Sequence, residues 1–105
     1  MKILVTYYTL YGHTLDMAHA VADGAREVSG TDVKLRRVPE FDAVEEVIDG
    51  NEYLRSVRDR QSHIPVVTQD DLREADGLIF GSPTRFGNMT AQMKQLFDSA
   101  GSLWI

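Results

Sequence analysis

A chain of 105 residues with a 43% hydrophobic and 26% charged share has the size and make-up of one small globular domain. It contains no cysteine, which excludes disulfides, thiolate metal sites and cysteine nucleophiles, and a net charge of -5 without a Lys/Arg cluster speaks against nucleic acid as a partner. No apolar run approaches a membrane span and the chain enters a strand at once, so the expectation is a cytoplasmic protein with no membrane partner.

Lys2–Tyr8 is a short run of β-branched, apolar and aromatic residues, which predicts a strand buried on both faces. From about Gly12 to Val28, Leu15, Ala18, Val21, Ala22, Ala25 and Val28 recur at helical spacing, and Gly30 supplies a stop. Val33–Val38 reads as a second strand, whose interspersed charges suit a sheet edge. Pro39–Pro65 is the least legible region: two short helices broken at Asp49-Gly50-Asn51 would make a long surface excursion, with Arg55, Arg58 and Arg60 on solvated faces. Thr68 is placed to cap a helix carrying Asp70 and Asp71 in its first turn, where the helix dipole favours acids. Gly77–Gly81 (GLIFG) reads as a third buried strand, and Asn88–Ala100 as a helix with Met89, Met93, Leu96, Phe97 and Ala100 on one stripe. Alternation of this kind predicts an α/β fold of parallel strands joined by right-handed crossovers.

Two loops, Thr9–Thr14 (TLYGHT) and Ser82–Met89 (SPTRFGNM), follow predicted strands and precede predicted helices. They should therefore share the carboxyl end of the sheet, where open α/β folds bind ligands. The first loop matches neither the phosphate-binding GxxxxGK[ST] pattern nor the dinucleotide GxGxxG. It offers the hydroxyls of Thr9 and Thr14, the tight turn of Gly12, His13 as a further donor, and the unpaired amides of a helix N-terminus. Taken alone it fits a plain helix cap as well as an anion site without formal positive charge. The second loop adds the fixed backbone of Pro83, donors at Thr84 and Asn88, and an exposed aromatic at Phe86. A phosphate at one loop and a planar polar ring at the other would describe flavin mononucleotide (FMN).

The stretches YYTLYGHT at Tyr7–Thr14, GSPTRFGNM at Gly81–Met89 and GSLW at Gly101–Trp104 resemble the tryptophan-repressor-binding-protein (WrbA) family of flavodoxin-like NAD(P)H:quinone oxidoreductases. The similarity extends from Lys2 to Trp104, with Pro39–Pro65 longer than usual. The resemblance implies FMN as cofactor, NAD(P)H as co-substrate, a quinone as acceptor and a homo-oligomer, a tetramer in that family. By position, Thr9, Leu10, Tyr11, Gly12, His13 and Thr14 would bind the FMN phosphate. Thr84, Arg85 and Phe86 would line the isoalloxazine ring, with Asn88 among the cofactor contacts. Tyr11 would also sit beside the nicotinamide and Trp104 against the quinone. No side chain is assigned as catalytic, because the flavin performs the redox step.

The flavodoxin-like sheet has strand order 2-1-3-4-5, and this sequence provides for strands 1, 2 and 3 only. Residues 1–105 are therefore expected to be the N-terminal part of one flavodoxin-like domain, truncated after strand 3 and its following helix. The apolar ending Leu103-Trp104-Ile105, without cap or polar tail, favours a fragment of a longer polypeptide. Strand 3 should then carry a bare outer edge. The alternatives are a non-enzymatic half-domain that pairs with another chain or holds FMN weakly, and a flavodoxin-like electron carrier. His19, Asp16 and Asp23 are read as helix surface rather than metal ligands. Ser82, followed by Pro83, has no nucleophile-elbow context.

Overall fold

The computed structural model describes residues 1–104; Ile105 and the side chain of Trp104, with its expected quinone contact, lie outside the described residues. The apolar run at the start becomes β1 (Lys2–Tyr7), the centre of a three-stranded sheet ordered β2-β1-β3. Both ladders are parallel, with β2 at Asp32–Arg37 and β3 at Gly77–Gly81. Leu4, Val5, Thr6 and Tyr7 are all buried, as a strand flanked on both edges and covered on both faces must be. This is the strand order of the flavodoxin-like α/β fold, present here through its third strand and the helix that follows.

Helix α1 (His13–Arg26) covers one face. Its Leu15, Ala18 and Ala22 pack with Val5, Tyr7 and Leu35, and the small alanines let helix and sheet approach closely. The expected helical run to Val28 stops two residues short. The Thr31 hydroxyl donates to the carbonyls of Ala25 (2.9 Å) and Val28 (2.7 Å), closing the turn, and the exposed Val28 has no core to follow.

The long excursion is two helices, α2 (Asp42–Asp49) and α3 (Glu52–Arg60), broken at Gly50-Asn51 as the sequence suggests. Asn51 caps α3 by accepting from the Leu54 amide at 3.0 Å. Arg58 ties the pair together through Glu45 (3.0 Å) and Asp49 (2.7 Å), so this arginine is partnered rather than merely solvated. Helix α4 (Gln69–Glu74) begins with a complete capping box between Thr68 and Asp71. Helix α5 (Ala91–Ser99) and a 3₁₀ turn (Gly101–Trp104) complete the second face. There Met93 and Leu96 pack on Leu4, Tyr8 and Leu72, and burying such a side chain contributes about 1.5–3 kcal/mol.

Two expectations need correction. Helix α5 starts at Ala91, not Asn88, because Arg85 and Asn88 exchange backbone hydrogen bonds in a tight turn and Thr90 then caps the helix, accepting from the Met93 amide. Strand β3 is not buried: Leu78, Ile79 and Phe80 are 37–40% exposed, since the described chain places nothing on its outer side. The bare edge foreseen from strand counting is present. Edge strand β2, by contrast, carries charge along its length, with Lys34 paired to Glu74 and Arg36 to Asp71 on α4.

Candidate functional site

Residues 8–12 connect β1 to α1, whose first turn holds His13 and Thr14, and residues 82–90 connect β3 to α5. Because β1 and β3 are parallel neighbours, with Tyr7 level with Gly81, both loops emerge side by side. Thr14 touches the start of the second loop: a Cβ placed on Gly81 would lie 3.4 Å from its Cγ2. The expectation of one shared edge therefore holds for the two loops.

The first loop is organised around Gly12, buried at φ 100°, ψ -15°. Positive φ is open to glycine at little cost, and here it turns the chain into α1. The Gly12 amide donates to the Thr9 hydroxyl at 3.0 Å, so buried Thr9 shapes the loop from within. No side chain caps α1. Among the described residues, the amides of His13, Thr14 and Leu15 have no acceptor, and the first helical bond runs from Asp16 to Gly12. A fan of free amides at the positive end of a helix fourteen residues long is a fitting cradle for a phosphate group. Leu10 packs against the core, while Tyr11 and His13 face solvent.

Helix α3 supports this cradle, which the sequence did not reveal. The Tyr53 hydroxyl donates to the Tyr11 carbonyl at 2.7 Å. A Cβ on Gly12 would meet Arg60 Nη1 at 3.2 Å and Val57 Cγ2 at 3.5 Å, and Arg60 is paired with Asp16 at 2.8 Å. The loop is thus not free of positive charge nearby: Arg60 lies on a solvated face, as expected, and is also paired there with Asp16.

The second loop is held by polar contacts. The Ser82 hydroxyl donates to the Pro83 carbonyl (2.9 Å) and accepts from the Thr90 amide (3.1 Å). Between them, Arg85 and Asn88 exchange bonds of 2.8 and 3.0 Å, with Phe86 at φ 52° and Gly87 at φ 80° at the tip. A phenylalanine in the left-handed region is strained, and its ring is fully exposed. Arg85 Nη1 donates to the Thr84 carbonyl at 3.1 Å, which leaves the rest of the guanidinium open. The Asn88 side-chain oxygen accepts from the Met89 amide (2.8 Å), so this residue offers its NH₂ rather than its oxygen.

Behind both loops lies a buried polar cluster. The Tyr8 hydroxyl donates to Glu40, and Gln92 Nε2 donates to Glu40 Oε1 (2.7 Å) and to the Tyr8 oxygen (3.1 Å). It joins β1, the turn after β2, and α5 just where the loops begin. A glutamine among the apolar residues of α5 was the available sign of it. Burial and then the hydrogen bond to Glu40 hold the Tyr8 phenol far above the ordinary tyrosine value.

On the other face Tyr7 is fully buried and donates to Gln61 Oε1 at 2.8 Å. Burial pushes its pKa from 10.0 to about 12, against a smaller opposing pull from Arg37. Between these values the unfolded chain sheds this proton while the folded chain keeps it. The contribution of Tyr7 is therefore complete below pH 10 and lost as pH rises toward 12. Urea midpoints of wild type and Tyr7→Phe should accordingly converge across that window; a constant difference would contradict the assignment.

Among the described residues, no three His, Asp or Glu side chains gather to hold a metal, and no helix is long and apolar enough to cross a membrane.

A protein of Geotalea daltonii named NAD(P)H dehydrogenase (quinone) is 53% identical over 108 residues, covering 100% of this chain and 50% of its own. Proteins of the same name from Geobacter metallireducens (49% identical) and Syntrophobacter fumaroxidans (48%) match all of this chain and 51% and 50% of theirs. The chain thus spans about half the length of the curated relatives it matches. Residues 1–104 match the NADPH-dependent FMN reductase family, and the chain belongs to that family.

Proposed function

We propose that this chain provides the phosphate loop and one ring wall of an FMN-dependent NAD(P)H:quinone oxidoreductase. The observation that carries this reading is the fan of unpartnered amides at the start of α1, set beside the strained, exposed turn at Phe86. The amides of His13, Thr14 and Leu15 would take the FMN phosphate, with Gly12 aiming them and Thr9 bracing the turn. Thr84, Arg85 and Asn88 would meet the polar edge of the ring, and Phe86 would lie along it. Tyr11, 54% exposed, is free to face the nicotinamide. When bound, FMN supplies the redox chemistry, carrying two electrons from NAD(P)H to a quinone. The protein's share is binding and orientation, so no protein acid or base is required. By resemblance we place the protein in the cytoplasm as a homo-oligomer, a tetramer.

The test compares FMN with riboflavin, which lacks the phosphate, by quenching of flavin fluorescence with the native mass recorded alongside. Charge-assisted hydrogen bonds are worth about 1.5–3 kcal/mol each, so FMN should bind at least about tenfold better. Binding of FMN by the 105-residue chain alone should nevertheless be weaker than micromolar, because only part of the ring is walled. Equal affinity for both flavins would sink the phosphate assignment. In the full-length relatives, NADH consumption with benzoquinone separates a reductase from a carrier, which would instead accumulate a one-electron flavin.

A further inference from the structure

The anion cradle at the start of α1 carries an electrostatic conflict. Its free amides and the positive end of the helix favour a negative group, yet the same first turn already holds a carboxylate, Asp16. The Asp16 amide donates to the Gly12 carbonyl at 3.2 Å, so this acid stands one turn from the glycine that aims the amides. A phosphate monoester brings about 1.5 to 2 negative charges at neutral pH, which an uncompensated carboxylate in the same turn would repel. The chain as a whole, at -5, offers no relief.

Compensation comes from the last turn of α3. Arg60 Nη2 donates to Asp16 Oδ1 at 2.8 Å, while its Nη1 lies 3.2 Å from where a Cβ on Gly12 would stand. The guanidinium thus touches both the carboxylate and the loop. Its place does not depend on Asp16 alone. Val57, one turn earlier on α3, packs on the same glycine, and Tyr53 at the start of the helix bonds the Tyr11 carbonyl. Arg58, two residues away, is committed to Glu45 and Asp49 instead. As a stabilising device the Asp16–Arg60 pair is minor, because the two side chains are 65% and 51% exposed and such pairs contribute little. Its position against the loop is what asks for a role.

We propose, resting on the phosphate reading above, that this ion pair sets the affinity of the cradle for its anion. Arg60 cancels the Asp16 charge, so the end of α1 keeps its positive field for the phosphate. Arg60 is an affinity-setting residue that makes no demand on the chemistry of the flavin ring. The two partners of one ion pair then act in opposite directions. Without Arg60, the Asp16 charge stands uncompensated beside the phosphate. Without Asp16, the whole charge of Arg60 is available to it. A pair that merely braced the loop would be broken equally by either change, and binding would move the same way in both.

The test titrates wild type, Arg60→Gln, Asp16→Asn and the double variant into dilute FMN and, separately, into dilute riboflavin, followed by flavin fluorescence. At about 0.01 M ionic strength, where charges are screened over about 30 Å, Arg60→Gln should weaken FMN binding about threefold and Asp16→Asn should tighten it about threefold. The double variant, again neutral as a pair, should return to within about twofold of wild type. At about 1 M salt, with screening over about 3 Å, the differences should vanish. Arg60→Lys keeps the charge and should stay closer to wild type than Arg60→Gln. Riboflavin, lacking the phosphate, should not distinguish the variants. Shifts of the same sign in the two single variants would overturn the proposal, as would equal shifts for riboflavin. Unchanged FMN affinity in both variants, with wild type still preferring FMN to riboflavin, would remove the ion pair and leave the phosphate reading standing. Equal binding of the two flavins by wild type would bring down that reading and the proposal with it.

Discussion

Glu40→Ala should destabilise the protein by about 2–4 kcal/mol, a large effect for a partly buried side chain at a turn. Glu40 accepts from the Tyr8 hydroxyl, from Gln92 Nε2 and from the Phe41 amide. Tyr8 is 3% exposed and Gln92 8%, so water cannot readily replace the lost carboxylate at either. Each buried donor left without an acceptor costs about 1–3 kcal/mol, and Tyr8 and Gln92 retain only their bond to each other. Glu40→Gln keeps an acceptor of the same shape and should lose less than half as much. Urea unfolding followed by circular dichroism measures both; a loss under about 1 kcal/mol for the alanine variant would mean that the cluster is hydrated.

The second large effect is expected at Gly12. Gly12→Val places a β-branched side chain at φ 100°, with Val57 Cγ2 3.5 Å and Arg60 Nη1 3.2 Å from its Cβ. Left-handed backbone costs an ordinary residue about 1–2 kcal/mol and a branched one more, so a loss of about 2–3 kcal/mol should appear in the same unfolding assay. The helix entry must shift to relieve the strain, and with it the aim of the amides. The preference for FMN over riboflavin should therefore disappear. Gly30→Val is the matching control: it too sits at positive φ (82°), but nothing stands within 4 Å of its Cβ. It should lower stability and leave the flavin preference intact. Equal effects of the two substitutions on flavin preference would remove Gly12 from the binding loop.

Strands and parallel order were legible because they rest on apolar runs and their alternation with amphipathic helices. Lys2–Tyr7 has one sensible place, the centre of the sheet, and the charges of β2 mark an edge. The two loops followed from their positions after strands. What sequence could not supply was contact between distant segments. Tyr53 lies 42 residues beyond the Tyr11 carbonyl it holds, Val57 and Arg60 lie further still, and their own helix is short and polar. Glu40 and Gln92 are fifty-two residues apart, with no local pattern joining them. The start of α5 was misplaced because Asn88 is itself a common capping residue; the paired backbone of Arg85 and Asn88, which only the fold makes visible, passes that role to Thr90.

The hydrogen bond from Tyr53 to the Tyr11 carbonyl carries a thermodynamic reciprocity. Helix α3 lends order to the loop, so any anion that fixes the loop must return the same free energy to α3. On the proposed reading of the loop, α3 thereby becomes a gauge of its occupancy, stiffening when the cradle is filled. Changes to Tyr53 or Val57 would shift affinity without removing a single group that contacts the phosphate.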